Sequence, residues 1–179
     1  MLLTGTYERS LDGKLRLAIP KRMRDAVSTP ENCVMFLTPG TDGSLALYPE
    51  ESFARLGQQL NSASPTGREV RAFSRMFYAL AERCEVDSQG RVRIPPELAK
   101  LASIDKDVVL LGVRDHIEIW DKQAWLAYLD GAQADYDQIA EKAFDANQLN
   151  STMVAESETT ESETTRSETS GIESVGKPR

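Results

Sequence analysis

The chain has 179 residues, 40% of them hydrophobic and 27% charged, with 21 basic side chains against 28 acidic ones and a net charge of −7 at pH 7. That length suits one ordinary domain or two small ones, and no apolar run approaches the roughly 20 residues that a membrane helix requires. The N-terminus, MLLTGTYERS, lacks a basic segment leading into an apolar core and a small-residue cleavage site. A secretory signal is therefore not expected, and Cys33 and Cys84, which have no metal-ligand spacing, are expected to be reduced apolar cysteines.

Thr4 to Tyr7 begins a strand that leads into the segment LDGKLRLAI, residues 11–19, closed by Pro20. Arg9 and Leu11 before the turn, and Leu17 and Ile19 after it, alternate as strand residues do. Asp12-Gly13 signals a hairpin, with Gly13 free to take positive φ. Asp12 is placed to accept backbone N–H groups and to hold Arg16 across the turn. Pro20 then starts a short helix to Val27, because the first helical position needs no N–H. Met23 and Val27 face inward there, and Lys21, Arg22 and Arg24 face outward. Arg9, Lys14, Arg16, Lys21, Arg22 and Arg24 stand against the single acid Asp12, a concentrated positive patch on an acidic chain. Phosphate binding follows local potential rather than the total, so this patch is a candidate nucleic-acid site.

Ser28 to Asn32 reads as a loop, Val34 to Leu37 as a strand, PGTDGS as a turn, and Leu45, Leu47 and Tyr48 as the next strand. Pro49-Glu50-Glu51 opens a helix, its acids suited to the positive end, with Phe53, Leu56 and Leu60 inward. Asn61 to Gly67 is a linker. A connecting helix over 68–82 follows, with Val70, Phe73, Phe77 and Leu80 on one face as core or subunit contact.

The first unit then returns as VDSQGRVRI, residues 86–94, closed by Pro95. Asp12 aligns with Asp87, Arg16 with Arg91, Leu17 with Val92, Ile19 with Ile94 and Pro20 with Pro95, which makes an internal repeat. Around the second copy Arg83, Arg91, Arg93 and Lys100 are balanced by Glu82, Glu85, Asp87 and Glu97, so the first copy is expected to bind nucleic acid more tightly. A short helix to Leu101, a strand over Val108–Val113, a strand with Ile117, Ile119 and Trp120, and a helix capped by Asp121 complete the second copy. Leu45, Leu47, Tyr48 and Phe53 match Ile117, Ile119, Trp120 and Trp125 at an offset of 72, against 75 at the Asp–Arg motif.

Each copy alone has too few strands to be stable. The expected fold is α+β: two tandem β-hairpin and short-helix repeats, residues 5–52 and 81–124, pairing as a pseudo-symmetric, barrel-like β-rich module. A further helix is expected over 131–147, with Tyr136, Ile139, Ala140 and Ala143 on one side. From Ser151 the composition becomes a Ser/Thr/Glu quasi-repeat, and 151–179 is expected to be a disordered acidic tail. His116 is the only histidine, and no nucleophile triad, metal-ligand set or phosphate-cradling glycine pattern is present. The chain is read as a non-enzyme without cofactor, metal or small-molecule substrate.

The paired D-x-x-x-R units, each followed by an apolar-x-Ile-Pro run, together with LYPEESF and IEIWDKQAW, resemble the MraZ family of bacterial transcription regulators over about residues 1–130. The resemblance implies two SpoVT-AbrB domains per chain, a ring-shaped homo-oligomer, and a location in the cytoplasm at the nucleoid. It further implies binding to double-stranded DNA at short direct repeats in the promoter of the division and cell-wall gene cluster. Carried over by position, Asp12 and Arg16, with Asp87 and Arg91, are the signature residues, the arginines facing DNA. Arg16 would then read guanine edges, while Lys14, Lys21 and Arg22, with Arg9, supply charge to the phosphates. The first motif departs from the family pattern: Lys14 is followed by Leu15 where glycine is usual, and glycine stands instead at Gly13. Residues beyond about Asp130 lie outside the resemblance. The rival expectation is an AbrB-like protein-interaction module, antitoxin or docking domain, without strong DNA binding.

Overall fold

The computed structural model describes residues 2–27, 34–62 and 67–145. The expected loop at 28–32, Cys33, most of the linker and the acidic tail lie outside the described residues. The chain divides into two compact units, Met1–Tyr128 and Leu129–Arg179.

The first unit is α+β. In chain order its elements are β1 (Thr6–Ser10), β2 (Arg16–Ala18), α1 (Lys21–Val27), β3 (Val34–Pro39), β4 (Leu45–Pro49), α2 (Glu50–Ser62) and α3 (Arg68–Ala79). There follow β5 (Glu82–Glu85), β6 (Arg91–Arg93), α4 (Pro96–Leu101), β7 (Asp107–Val113), β8 (His116–Asp121) and the start of α5 (Lys122–Ala134). In the second unit, residues 136–145 are also helical, after a turn at 135. No helix among the described residues is long and apolar enough to cross a membrane.

Local chemistry sets several boundaries. Pro96 occupies the first turn of α4, where a missing N–H costs nothing. Asp121 caps α5, its Oδ1 accepting from the N–H groups of Gln123 at 2.9 Å and Ala124 at 3.1 Å. The connecting helix ends at Ala79 rather than Glu82. Leu80 N–H bonds back to Met76 O, and Glu82 is already in β5 opposite Leu37.

The strand pairing corrects the expectation of two hairpins that close on themselves. β1 pairs with β7 of the other repeat (Thr6↔Leu111 to Ser10↔Asp107), and β5 pairs with β3 (Val34↔Glu85 to Leu37↔Glu82). β2 pairs with β6 through Arg16↔Arg93, Leu17↔Val92 and Ala18↔Arg91. The result is a six-stranded antiparallel sheet, β1-β7-β8-β4-β3-β5, and a two-stranded ribbon, β2-β6. Exchanging the two repeats leaves both orders unchanged, so a pseudo-two-fold axis passes through the Leu17↔Val92 and Ala46↔Glu118 pairs. Isolated two-stranded hairpins are marginal in water; exchange gives each outer strand a long partner and turns two half-cores into one.

That core holds Leu17 and Val92 of the ribbon and Ile94 just after it, with Leu37, Leu47, Leu110, Ile117 and Ile119 of the sheet, all 0% exposed. The period of two puts the alternate residues on the other face. There Phe36 stacks on Phe53 of α2 at 4.4 Å, and Phe53 on Phe77 of α3 at 5.6 Å. On the other half of that face Trp120 meets Trp125 at 5.5 Å and Tyr128 at 5.0 Å. Of the expected α3 stripe, Phe77 is buried, whereas Phe73 stacks on it and stays 47% exposed.

Candidate nucleic-acid interface

The two Asp–Arg turns are the same object built twice. Asp12 Oδ1 accepts from the N–H groups of Lys14 at 2.9 Å and Arg16 at 3.0 Å, and Asp87 Oδ1 accepts from Gln89 and Arg91, both at 2.9 Å. Leu15 N–H donates to Asp12 O, and Gly90 N–H to Asp87 O. Each turn is also tied to the opposite repeat: Ile94 N–H donates to Leu15 O at 2.8 Å and Ile19 N–H to Gly90 O at 3.0 Å.

The residue that takes positive φ is Leu15 (φ 56), not Gly13, and its counterpart in the second turn is Gly90 (φ 76). Arg24 of α1 explains the difference. A Cβ at Gly90 would fall on the Arg24 guanidinium, so any side chain there must displace Arg24 as well as take a left-handed backbone. Under the pseudo-two-fold, Ala99 of α4 holds the place of Arg24, and Leu15 packs against the core cluster to which Ala99 belongs. A leucine in the left-handed region costs about 1 kcal/mol, which its burial offsets. The turn therefore keeps its shape despite the departure from glycine.

The carboxylates and guanidiniums alternate. Arg16 donates from Nε to Asp12 Oδ2 at 2.7 Å and places Nη2 on the same oxygen at 2.6 Å. Arg91 does the same to Asp87 at 2.9 and 2.8 Å, and its Nη1 lies 3.8 Å from Asp12. The structure thus brings Asp12, Arg16, Asp87 and Arg91 into one half-exposed cluster. Side-chain hydrogen bonds from their arginines hold both aspartates below the usual carboxylate range, and the Asp12 hydrogen bond raises Arg16 in turn. Both aspartates stay ionised, and Nε and Nη2 of Arg16 are committed to Asp12. Only its outer edge is left for another partner.

Cations stand around this cluster unevenly. Lys14 is exposed at the tip of the first turn, and Arg93 lies opposite Arg16 across β2-β6. Together with Gly13, Leu15 and Arg16 they line one shallow hollow. The counterpart of Arg93 beside the second turn is Ala18, opposite Arg91. The first turn therefore receives cations from both repeats. Arg93 was missed by composition because its own copy is neutral; the register about Leu17↔Val92 is what delivers it. Lys21 and Arg22 are exposed on α1, and Arg24 is half-buried over Gly90. Arg9 sits back on β1 opposite Val108 and donates to Glu8 O.

His116 belongs to a separate cluster on the other face of the sheet. It stacks on Tyr48 at 4.7 Å, with Nδ1 3.1 Å from Asp115 and Nε2 3.7 Å from Glu118. Arg55 of α2 reaches Asp115 at 3.6 Å, and Trp120 Nε1 donates to Glu118 at 2.9 Å. Burial pulls the imidazole down, but hydrogen bonds and charge from Glu118 and Asp115 outweigh it and leave its pKa above the ordinary 6.5. A raised folded-state pKa gives stability that is full below the unfolded value and is lost as pH rises through the folded one. Melting temperature is therefore expected to fall as pH rises from about 6 to about 8, and His116→Gln should flatten that slope. An unchanged slope would remove His116 from the pH dependence.

The structure is a duplicated, strand-exchanged α+β module with twin Asp–Arg turns, the first of them flanked by Lys14 and by Arg93 of the other repeat. The comparisons place it further. The sequence profile described as "MraZ protein, putative antitoxin-like" matches residues 2–76 and again 77–147. The chain is 37% identical over 144 residues to the transcriptional regulator MraZ of Heliobacterium modesticaldum, covering 80% of this chain and 98% of that one. It is 40% identical over 141 residues to that of Lactiplantibacillus plantarum (79% and 97%) and 39% over 146 residues to that of Pelotomaculum thermopropionicum (82% and 98%). The chain belongs to the MraZ family. The match runs to residue 147, past the limit of about 130 read from the motifs, so the helical stretch 136–145 is within the family's length.

Proposed function

We propose that this member of a family of transcriptional regulators binds DNA sequence-specifically, at direct repeats in the promoter of the division and cell-wall gene cluster, as a ring-shaped homo-oligomer at the nucleoid. The observation that carries the reading is the gathering of Lys14, Arg16 and Arg93 on one hollow beside the twin turns of an acidic protein. Lys14 and Arg93, with Lys21, Arg22 and Arg9 as outlying charge, neutralise phosphates and set register. Arg16, held by Asp12, and Arg91, held by Asp87, present pre-set guanidinium edges, which lowers the ordering cost of each contact. One chain makes few contacts, so repeated subunits on repeated half-sites supply avidity.

The test is binding of a duplex carrying the chain's own upstream repeats, against a scrambled duplex, over about 50 to about 300 mM salt. A steep fall of log K with log salt plus preference for the repeats supports the reading. A flat response would favour the protein-docking alternative, which the antitoxin-like family description keeps in view.

A further inference from the structure

The helical stretch 136–145 is amphipathic, and its large apolar side chains are exposed among the described residues. Tyr136 is 70% exposed, Ile139 49% and Phe144 70%, and they share a stripe with Ala140 and Ala143. Burying such a stripe removes apolar surface from water, so it calls for a partner. The flanking charges are acidic: Asp137, Glu141 and Asp145 against Lys142. In the first unit, α3 shows a complementary surface. Met76 is 62% exposed and Phe73 47%, with the small Ala72 and Ala79 exposed beside them, and the helix carries Arg68, Arg71 and Arg75 against Glu69.

We infer that α3 of one copy is the docking surface for the 136–145 helix of a second copy. Charge decides the occupant. Two 136–145 helices laid together would oppose acid to acid, and the exposed Leu126 and Tyr128 of α5 lie on a helix with no net charge. Among the described residues, only α3 offers apolar side chains, small residues for close approach and opposite charge in one place. Donor and acceptor surfaces differ, so the contact is heterologous, and repeated head to tail it closes a ring. The inference rests on the proposal that the chain assembles, and it names the surfaces that do so.

Native mass spectrometry of the full chain without DNA tests it. Arg68→Glu with Arg75→Glu should lower the assembly constant at least tenfold, and so should Asp137→Lys with Glu141→Lys. Combining all four substitutions should restore most of the loss, a recovery that misfolding would not produce. Either reversal leaving the assembly intact, or the combination failing to recover it, overturns the proposal. Cross-links between the two helices that form only within one chain, in an isotope-mixed sample, would also overturn it. DNA binding is scored separately by salt dependence, so an assembled chain that ignores duplex counts against the proposed function and not against this interface.

Discussion

Gly90→Leu is expected to cost about 3 kcal/mol of unfolding free energy, while Leu15→Gly at the symmetry-related position should shift stability by no more than about 1 kcal/mol. At Gly90 two penalties combine: a left-handed backbone (φ 76) and a side chain that must displace the Arg24 guanidinium. At Leu15 the same backbone is already occupied by a leucine, and removal trades its packing against relief of strain. Arg24→Ala in the Gly90→Leu background rebuilds the Leu15–Ala99 arrangement in the other half. It should return more than half of the loss in urea unfolding, a coupling that independent sites would not show. Additive effects of the two substitutions would refute the reciprocal fit.

The second large effect concerns binding. Lys14→Glu with Arg93→Glu is expected to weaken binding to any duplex by about 100-fold at moderate salt and to reduce the salt slope by about 2 per engaged subunit. The two residues come from different repeats yet share one hollow with Arg16, so reversing both turns the two outer cations of that hollow into anions. Arg83→Glu is the matched control: Arg83 is exposed on β5 and already paired with Glu85 at 2.9 Å. A loss from Arg83→Glu equal to that of the double reversal would move the interface away from the first turn.

Much of this was legible in the residues. The Asp–Arg spacing determines a turn because a carboxylate that accepts two backbone N–H groups also reaches the guanidinium four residues on, and both copies say so in sequence. Alternation in Leu45–Tyr48 and Ile117–Trp120 separates core from outer face without further information. The exchange of strands was not legible: a period of two reads the same whether β2 folds back on β1 or crosses to β6, and only the length of partner available decides. Arg93 was hidden for that reason, since its place beside Arg16 is a matter of register. Leu15 was hidden because glycine next to aspartate is the stronger local signal, whereas the left-handed residue is chosen by what α1 and α4 set against each turn.

The interleaving has a consequence during synthesis. Thr6 waits for Leu111, and Leu17 for Val92, so an emerging amino-terminal half holds two strands whose mates have not yet been translated. Long sequence separations of this kind slow folding and leave sticky edges in the interval. The same delay acts as a completeness check: the hollow shared by Lys14, Arg16 and Arg93 is assembled only when both halves have left the ribosome.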